Sequence, residues 1–261
     1  MKIIKTVSVA LACAAFVAPA SADAQHALDL GAVYVHTARN APQITADGKT
    51  VDSFGDALPA SNVKFKCGDG QKAFFVLSNN TVVFMGENSE AEVVSFRQSQ
   101  TAAKFPKNET VAARSECLID IKKGDFFFVC PRLRPSSVMK ISSPFGTFDV
   151  QSTEFAIKVS ENGMRISLVA GQASFKDPDG KTDFLKNKQT GTIAKSDTKE
   201  RYPLRISYVS VIDEEKMKPD FERCRNVFRS VVFKSDDNGK ISAERVVHKE
   251  FLMRRADGDY R

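Results

Sequence analysis

Cysteine is the residue type in this 261-residue chain whose number and spacing point most directly to covalent chemistry. Four of the five cysteines lie beyond the first 22 residues: Cys67, Cys117, Cys130 and Cys224. An even number of cysteines in an exported chain is typical of disulfide bonds, and four cysteines allow three pairings. The sequence therefore predicts two disulfides, provided that the chain leaves the reducing cytosol.

The spacing of Cys117 and Cys130 favours one of these pairings. If residues 123–124 (Lys-Gly) form a two-residue turn, the two cysteines face each other at a non-hydrogen-bonded pair, where Cα atoms lie about 4.5 Å apart. That separation is at the short end of the range that a disulfide accepts. We therefore predict a Cys117–Cys130 disulfide, and a Cys67–Cys224 disulfide that ties the C-terminal segment to the N-terminal strands. Two buried free thiols are the alternative for the second pair.

The other reactive side chains show no pattern typical of a metal site or a catalytic site. The histidines, at positions 26, 36 and 248, lie outside metal-ligand spacings such as H-E-x-x-H, and no two cysteines form a C-x-x-C pair. The G-x-S-x-G motif of serine hydrolases is absent. A calcium-loop alignment over 234–245 places Lys234 and Arg245 where carboxylates are needed. We therefore expect no metal, no cofactor and no catalytic residue, and we do not expect an enzyme.

The first 22 residues have the three parts of a secretory signal peptide. Lys2 and Lys5 give a positive start, residues 7–17 form an apolar run, and two A-x-A patterns end at Ala22 and Ala24. The apolar run is shorter than the stretch of about 20 residues that a membrane-spanning helix needs. We therefore expect export, with cleavage near Ala22 or Ala24, to the periplasm or out of the cell.

A hairpin is predicted around residues 162–163, because Asn-Gly is the strongest short hairpin signal. Pairing about this turn places Phe155 opposite Ala170 and gives the ribbon one apolar and one largely polar face. Such alternation is typical of a sheet with one buried side.

A second hairpin is predicted about residues 79–80 (Asn-Asn), with Phe75 opposite Phe84. Both of its faces are apolar, so we expect these strands to be covered on both sides. Further strands are predicted at 63–66, 92–96, 138–142, 147–150, 173–175 and 182–185. Many short strands separated by turns predict an all-β fold, either a sandwich or roll or a solenoid-like stack of strands.

The chain changes character after about residue 200. Four apolar side chains recur there at helical spacing: Phe221, Cys224, Phe228 and Val231. With Asp220 as the N-cap, they predict an amphipathic helix over about 220–233 that packs on the β body. The predicted organisation is a signal peptide (1–22), a β domain (27–200) and a C-terminal extension (201–261).

Composition and charge exclude several classes of protein. The chain is 42% hydrophobic and 27% charged, with a formal net charge of +6, values that are ordinary for a globular protein. Basic residues are scattered among acidic ones and do not form a stripe with interleaved aromatic residues, so nucleic acid is not the expected partner. No second long apolar stretch follows the leader, so no membrane span is expected.

Two stretches resemble the FecR-like domain of bacterial envelope proteins. The first, 74–91, has a strand, a polar turn, a second strand and a Gly-Glu-Asn-Ser step at 86–89. The second has strand–Gly124–strand and then, over 138–155, a Gly-Thr that precedes Glu-Phe; a later glycine, Gly171, is similar to the end of the family's return hairpin. The resemblance covers about 51–193. Ser152 stands where the family has glycine.

The resemblance implies an exported all-β module of the envelope, and no catalytic residue transfers with it. Classical members add an anti-sigma segment and a membrane helix; this chain is expected to be the exported module alone. The leading hypothesis is a non-enzymatic binding, scaffolding or signal-sensing module that recognises an envelope protein through a sheet surface or edge strand. A module that binds envelope polysaccharide is the alternative. A third is a hydrolase that uses carboxylates such as Asp213, Glu214 and Glu215.

Overall fold

The computed structural model of the protein describes residues 29–39, 42–51, 57–99, 114–131, 133, 136–195, 203–236 and 240–245. The predicted signal peptide lies outside these residues, as do two of the histidines, at 26 and 248. The strands of the N-terminal half are β1 (Asp29–Leu30), β2 (Ala32–Arg39), β3 (Gln43–Ala46), β4 (Lys49–Thr50), β5 (Ala57–Pro59), β6 (Ser61–Lys66), β7 (Lys72–Leu77), β8 (Val82–Met85) and β9 (Glu90–Gln98). The remaining elements are β10 (Ser115–Val129), β11 (Val138–Ser143), β12 (Gly146–Ser160), β13 (Gly163–Lys176), β14 (Thr182–Leu185), β15 (Gln189–Ala194), β16 (Arg205–Tyr208), α1 (Val211–Ser230), β17 (Val231–Ser235) and β18 (Ile241–Arg245).

Most strands pair into one continuous sheet that folds into two layers. The long strands β10, β12 and β13 pass from one layer to the other and exchange neighbours on the way. The first half of β10 pairs with β9 and β11, whereas its second half pairs with β8 and β12. Every pairing except β10–β11 is antiparallel among the described strands. The predicted all-β fold is confirmed, and its antiparallel pairing makes it a sandwich rather than a solenoid.

We name the two layers by their strands. The front sheet contains β3, β6, β9, β11 and β14, together with the first halves of β10 and β12 and the second half of β13. The back sheet contains β5, β2, β7, β8, β15 and β16, together with the other halves of the three long strands. Because the long strands are shared, the layers are joined covalently at three places.

Phenylalanine side chains fill the space between the sheets. The rings of Phe65 in the front sheet and Phe75 in the back sheet stack with their centroids 4.5 Å apart, and Phe128 and Phe155 stack at the same distance. All four side chains are fully buried. Burial of one such ring contributes about 1.5–3 kcal/mol, so the many phenylalanines of the sequence account for a large part of the interior core.

The long strands bend at residues that relax the regular strand geometry. Gly124 in β10 and Gly171 in β13 have φ angles of 109° and 115°, a region that favours glycine. In β12 the register with β13 shifts between Ser152 and Phe155, as at a β-bulge. These bends carry the strands from one layer to the other.

The helix α1 covers the outer face of the back sheet. Its buried residues Phe221, Cys224 and Val227 pack in a second apolar cluster that includes Phe74 and Phe84 of that sheet. A bidentate ion pair, with both oxygens of Glu154 at 2.7 Å from Arg225, holds the helix on β12. The predicted apolar face is confirmed for Phe221, Cys224 and Phe228. The predicted end at about 233 is wrong, because the helix ends at Ser230 and Val231 begins β17.

The predicted start of the helix is wrong. The helix begins at Val211, with Ser210 as its N-cap, and Pro219 lies inside it. Asp220 was the predicted N-cap, because aspartate is one of the residues preferred at that position. In the structure Asp220 is an interior position that contacts Arg223 at 3.1 Å.

Both hairpins form, but with shifted registers. Phe155 pairs with Leu168 rather than Ala170, because the turn occupies residues 161–162. Phe75 pairs with Val83 rather than Phe84. The first register is shifted by two residues, so the same side chains stay on the buried face. The second register is shifted by one residue. The strands of the second hairpin are covered on both sides as predicted, since β8 is buried throughout.

Each of the six further predicted strands lies within a strand of the structure.

The structure contains neither of the predicted disulfides; all four cysteines are free and buried. The expected turn at 123–124 does not form, because Gly124 bends a continuous strand whose two halves pair with different neighbours. Cys117 and Cys130 are both in the interior core. Cys67 is also in that core, whereas Cys224 lies in the outer cluster beneath α1. The back sheet therefore separates the second predicted pair.

Candidate functional site: an open edge of the back sheet

Exposed apolar side chains concentrate at one edge of the sandwich. Seven large hydrophobic side chains are exposed in the described residues, and four of the seven lie between positions 206 and 212. They are Ile206, Tyr208, Val211 and Ile212, of which Tyr208 is 80% exposed. Scattered exposed apolar residues are ordinary, but a contiguous group indicates an interaction surface. We call residues 205–212 the open edge.

The first part of the open edge is the strand β16, which ends the back sheet. It pairs with β15 on one side only, among the strands that the structure describes, and its four residues are all exposed. Its other side therefore presents backbone N–H and C=O groups that can accept a further strand.

Ile206 and Tyr208 lie on the side of β16 that faces the interior of the sandwich. Ile206 pairs with Gly191, and a Cβ atom at Gly191 would come within 2.8 Å of both Leu185 and Leu204, which pack in or against the interior core. Residues opposite each other on neighbouring strands point to the same face. Ile206 and Tyr208 therefore extend the interior core to an edge that no described element closes.

The second part of the open edge is the first turn of α1, whose position is fixed. Ser210 caps the helix by accepting a hydrogen bond from the backbone N–H of Asp213 at 3.1 Å. The Asp213 carboxylate also accepts from Arg165 in β13 at 2.7 Å. These contacts hold the polar side of the turn on the sheet, and Val211 and Ile212 stay exposed.

The acidic residues of this turn form ion pairs with basic residues. They do not face each other across a cleft, as the two carboxylates of a glycoside hydrolase do. Asp213 pairs with Arg165, Glu214 lies 3.6 Å from Lys188, and Glu215 lies 3.9 Å from Lys218. Hydrogen bonds from Ser210 and Arg165 hold the pKa of Asp213 below its usual value. A carboxylate with a lowered pKa is a poor general acid, which does not favour the hydrolase alternative.

The buried thiols are not suited to nucleophilic chemistry. Burial raises the pKa of Cys67 to about 11 and that of Cys130 to about 12, and it also raises the pKa values of Cys117 and Cys224. The thiolate is the reactive form of cysteine, and so high a pKa leaves almost none of it at neutral pH. The four cysteines act as apolar side chains of the two clusters.

His36 is the one histidine among the described residues, and it contacts the C-terminal hairpin. The Nε atom of Arg245 donates to its Nδ1 atom at 3.1 Å. Burial, and then the charge of Arg245, lower the pKa of His36 to about 4. It is therefore neutral at neutral pH and serves to dock β18 on β2.

The described residues provide neither a cluster of metal ligands nor a membrane-spanning helix. Over the described ranges, no group of three or more His, Cys, Asp or Glu side chains is placed to hold a metal ion. Within the same ranges, no helix is both long and apolar enough to cross a membrane.

Comparison with solved structures finds two crystal structures, at 1.65 and 2.50 Å resolution, of a candidate anti-sigma factor from Parabacteroides distasonis. Each is 12% identical to this chain and covers 74% of it; the comparison spans 90% and 89% of the crystallised chains, with TM-scores of 0.44 and 0.43. No family model and no curated protein matches the chain. A likeness this distant carries no argument about function.

The sequence analysis predicted the use of an edge strand but did not locate it. Two signals were present in the sequence. Residues 205–208 alternate polar and apolar side chains, as a half-buried strand does. Ser210, followed three residues later by an acidic residue, is similar to a capping box. Both fell in the segment that was assigned to a C-terminal extension.

Proposed function

We propose that this protein is a non-enzymatic binding module of the bacterial cell envelope, exported by its N-terminal segment, that recognises a partner protein by strand addition. In this mode an extended segment of the partner pairs with the free side of β16. The observation that carries the proposal is the coincidence of an unpaired strand edge with four of the seven exposed large hydrophobic side chains. Backbone groups at an edge require a backbone partner, and a cluster of apolar side chains requires an apolar one.

The chemistry of the open edge specifies the partner segment. It is an extended strand with apolar side chains at alternate positions, since Ile206 and Tyr208 project from one face of β16 two residues apart. Arg205 is exposed at the start of the strand, and it has no ion pair within the described part of the chain. A carboxylate at the matching end of the partner segment would complement it.

The resemblance to the FecR-like family supports a signal-sensing role for this binding. The residues that carry the resemblance meet in the structure: Gly86 donates its N–H to the carbonyl of Asp125 at 2.8 Å, and Ser89 accepts from the N–H of Asp125 at 3.1 Å. By this resemblance, the module would act outside the cytoplasm and sense the state of another envelope protein. Export itself rests on the pattern of residues 1–22.

The proposal is tested with a variant that changes the open edge alone. Ile206→Lys with Tyr208→Lys places two charges where an apolar strand should dock, and Val232→Lys, at a 41% exposed position in β17, is the control. A partner is first captured from an envelope extract, purified, and titrated against each variant. We expect the double variant to weaken binding by about tenfold or more, and the control to bind as the native protein does.

Hydrogen exchange gives the second measurement. Partner binding should protect the backbone amides of residues 205–208, because strand addition uses those groups directly. The partner docks elsewhere if the double variant binds it as tightly as the native protein does. The same follows if partner binding leaves the exchange of the amides of residues 205–208 unchanged.

A further inference from the structure

The outer face of the front sheet differs from that of the back sheet. The helix α1 covers the back sheet, but no described element covers the front sheet beside β14. The strands β12, β13 and β14 lie side by side there, and the register places their outward side chains in rows. Asp149, Ser174 and Phe184 form the first of these rows.

A second row runs parallel to the first. Gln151 pairs with Gln172, and Lys186, the residue that follows the end of β14, lines the cavity with them. The residues between the rows, Val150 and its neighbours Ala173 and Leu185, point into the interior core. The two rows therefore enclose a shallow cavity of about 320 Å³ on the outer surface, lined by both polar and apolar side chains.

The amide pair at the centre of this cavity has unused hydrogen-bonding capacity. Gln172 Nε2 donates to Gln151 Oε1 at 3.1 Å, which uses one donor of one amide and one acceptor site of the other. Each side-chain amide has two donors and two acceptor sites. The pair therefore still presents both donors and acceptors, side by side and towards the cavity, whichever way the two amides are assigned.

Phe184 supplies the apolar part of the same cavity. Its side chain is 68% exposed, although the neighbouring Leu185 is fully buried and the fold does not need Phe184 for its core. An exposed aromatic ring beside fixed amides offers a flat apolar surface next to paired donors and acceptors.

We propose that this cavity binds a pyranose unit of an oligosaccharide. A pyranose ring has an apolar C–H face, which would cover the Phe184 ring, and a rim of neighbouring hydroxyl groups, each both a donor and an acceptor, which would meet Gln151 and Gln172. Asp149 and Lys186 bring one charge of each sign to the cavity, so its chemistry suits a neutral polar ligand rather than a phosphate or a carboxylate. This site is on the outer face of the front sheet, whereas the surface proposed for the partner protein is at an edge of the back sheet.

The inference is tested by titration of the full chain with two soluble probes, the trimer of N-acetylglucosamine and the trimer of glucose. We expect at least one of them to shift the amide resonances of residues 149, 151, 172, 174, 184 and 186. Phe184→Ala should weaken that binding by about tenfold, since it removes the stacking surface, and Gln172→Ala should weaken it as well. Val232→Lys is the control, because Val232 is exposed in β17, which pairs with β18 and not with the strands of this cavity, so the change should leave the affinity for the sugar unchanged.

Two outcomes would overturn the inference: neither trimer shifts these resonances, or Phe184→Ala binds a trimer as tightly as the native protein. Shifts of the same resonances by a short acidic peptide, without shifts by either sugar, would identify a peptide site and also overturn it. Since the sugar titration does not involve residues 205–212, its failure would leave the proposed strand addition untouched, and the reverse also holds.

Discussion

The long strand β10 passes from the front sheet to the back sheet at Gly124, and Gly124 packs directly against Ser89. A Cβ atom added at Gly124 would lie 1.9 Å from Ser89 Oγ and 2.5 Å from its Cα, so the two residues approach as closely as backbone and a small side chain allow. Ser89 is fully buried, and its hydroxyl donates to the carbonyl of Glu87 at 3.2 Å. Two positions that the sequence analysis picked out for their family resemblance therefore form one packing contact.

Substitution of Gly124 by alanine is expected to destabilise the protein strongly. The new methyl group would meet Ser89, and the φ angle of 109° would be strained for any residue with a Cβ atom. We expect a loss of about 3 kcal/mol or more in the free energy of unfolding, measured with urea. Gly48→Ala is the matched control: its φ angle is 77° and nothing lies within 4 Å of its added Cβ, so strain alone should cost about 1 kcal/mol. Equal losses for both variants would contradict the packing contact.

His36 makes part of the stability depend on pH. Its pKa is lowered from 6.5 to about 4, so the folded protein favours the neutral ring and the unfolded chain takes up a proton more readily. The stabilisation from the neutral ring is present above pH 6.5 and is lost as the pH falls from 6.5 through about 4. We expect His36→Gln to flatten the pH dependence of the unfolding midpoint between pH 6.5 and 5. If the variant keeps the native slope in this interval, the pKa of His36 is not lowered in the folded protein.

At the scale of elements, α1 shows how a local signal can be overridden by packing. Pro219 lies in the middle of the helix, where it has no N–H to donate to the carbonyl of Glu215. The helix nevertheless continues through it, because Asp213 is anchored to Arg165 on one side and Arg225 to Glu154 on the other. Tertiary contacts at both ends fix a helix that the sequence alone divides in two.

Pro219→Ala is therefore expected to stabilise the protein. Alanine restores the missing hydrogen bond and has a much higher helix propensity, and Pro219 is exposed, so little packing is lost. We expect a gain of about 2 kcal/mol in the free energy of unfolding, after allowance for the more flexible unfolded chain. Lys218→Ala, one residue away and also exposed, should change stability by less than about 0.5 kcal/mol. A loss of stability in Pro219→Ala would mean that the proline ring itself contributes to the packing of α1.

On the scale of the whole molecule, the back sheet separates two apolar clusters, and this separation keeps Cys224 away from Cys67. Cys67, Cys117 and Cys130 lie in the interior core, with Cys130 Sγ at 3.8 Å from the sulfur of Met139, and Cys224 lies beneath the helix. All four are free thiols, and Cys117 and Cys130 lie in the same cluster. Among the described residues, the two apolar clusters therefore stabilise the fold without a disulfide bond.

A thiol count tests this arrangement. In the native protein, the four cysteines should resist alkylation, because they are buried and their thiolates are scarce. After unfolding in urea without reductant, we expect alkylation at Cys67, Cys117, Cys130 and Cys224. Peptide mapping identifies the sites. Recovery of a linked Cys117–Cys130 peptide would restore the original pairing and contradict the free thiols.

The sequence alone determined the elements whose signals are local. The six short strands, the double-sided burial of β8 and the apolar face of α1 follow from alternation or helical spacing over a few residues, and tertiary packing did not override them. The predicted registers of both hairpins were wrong by one or two residues. The position of a turn along the chain is set by which faces of the strands pack in the core, and the local sequence does not specify this.

Only the tertiary structure decided how these elements meet. Whether 123–124 turns or bends depends on which strands pair with the two halves of β10, and those partners are distant in the sequence. The separation of Cys67 from Cys224 and the open edge at β16 depend on the order of strands in the sheets, and so does the grouping of Gln151, Gln172 and Phe184. Local propensity is set by neighbours in the chain, whereas surfaces and cavities are set by neighbours in space.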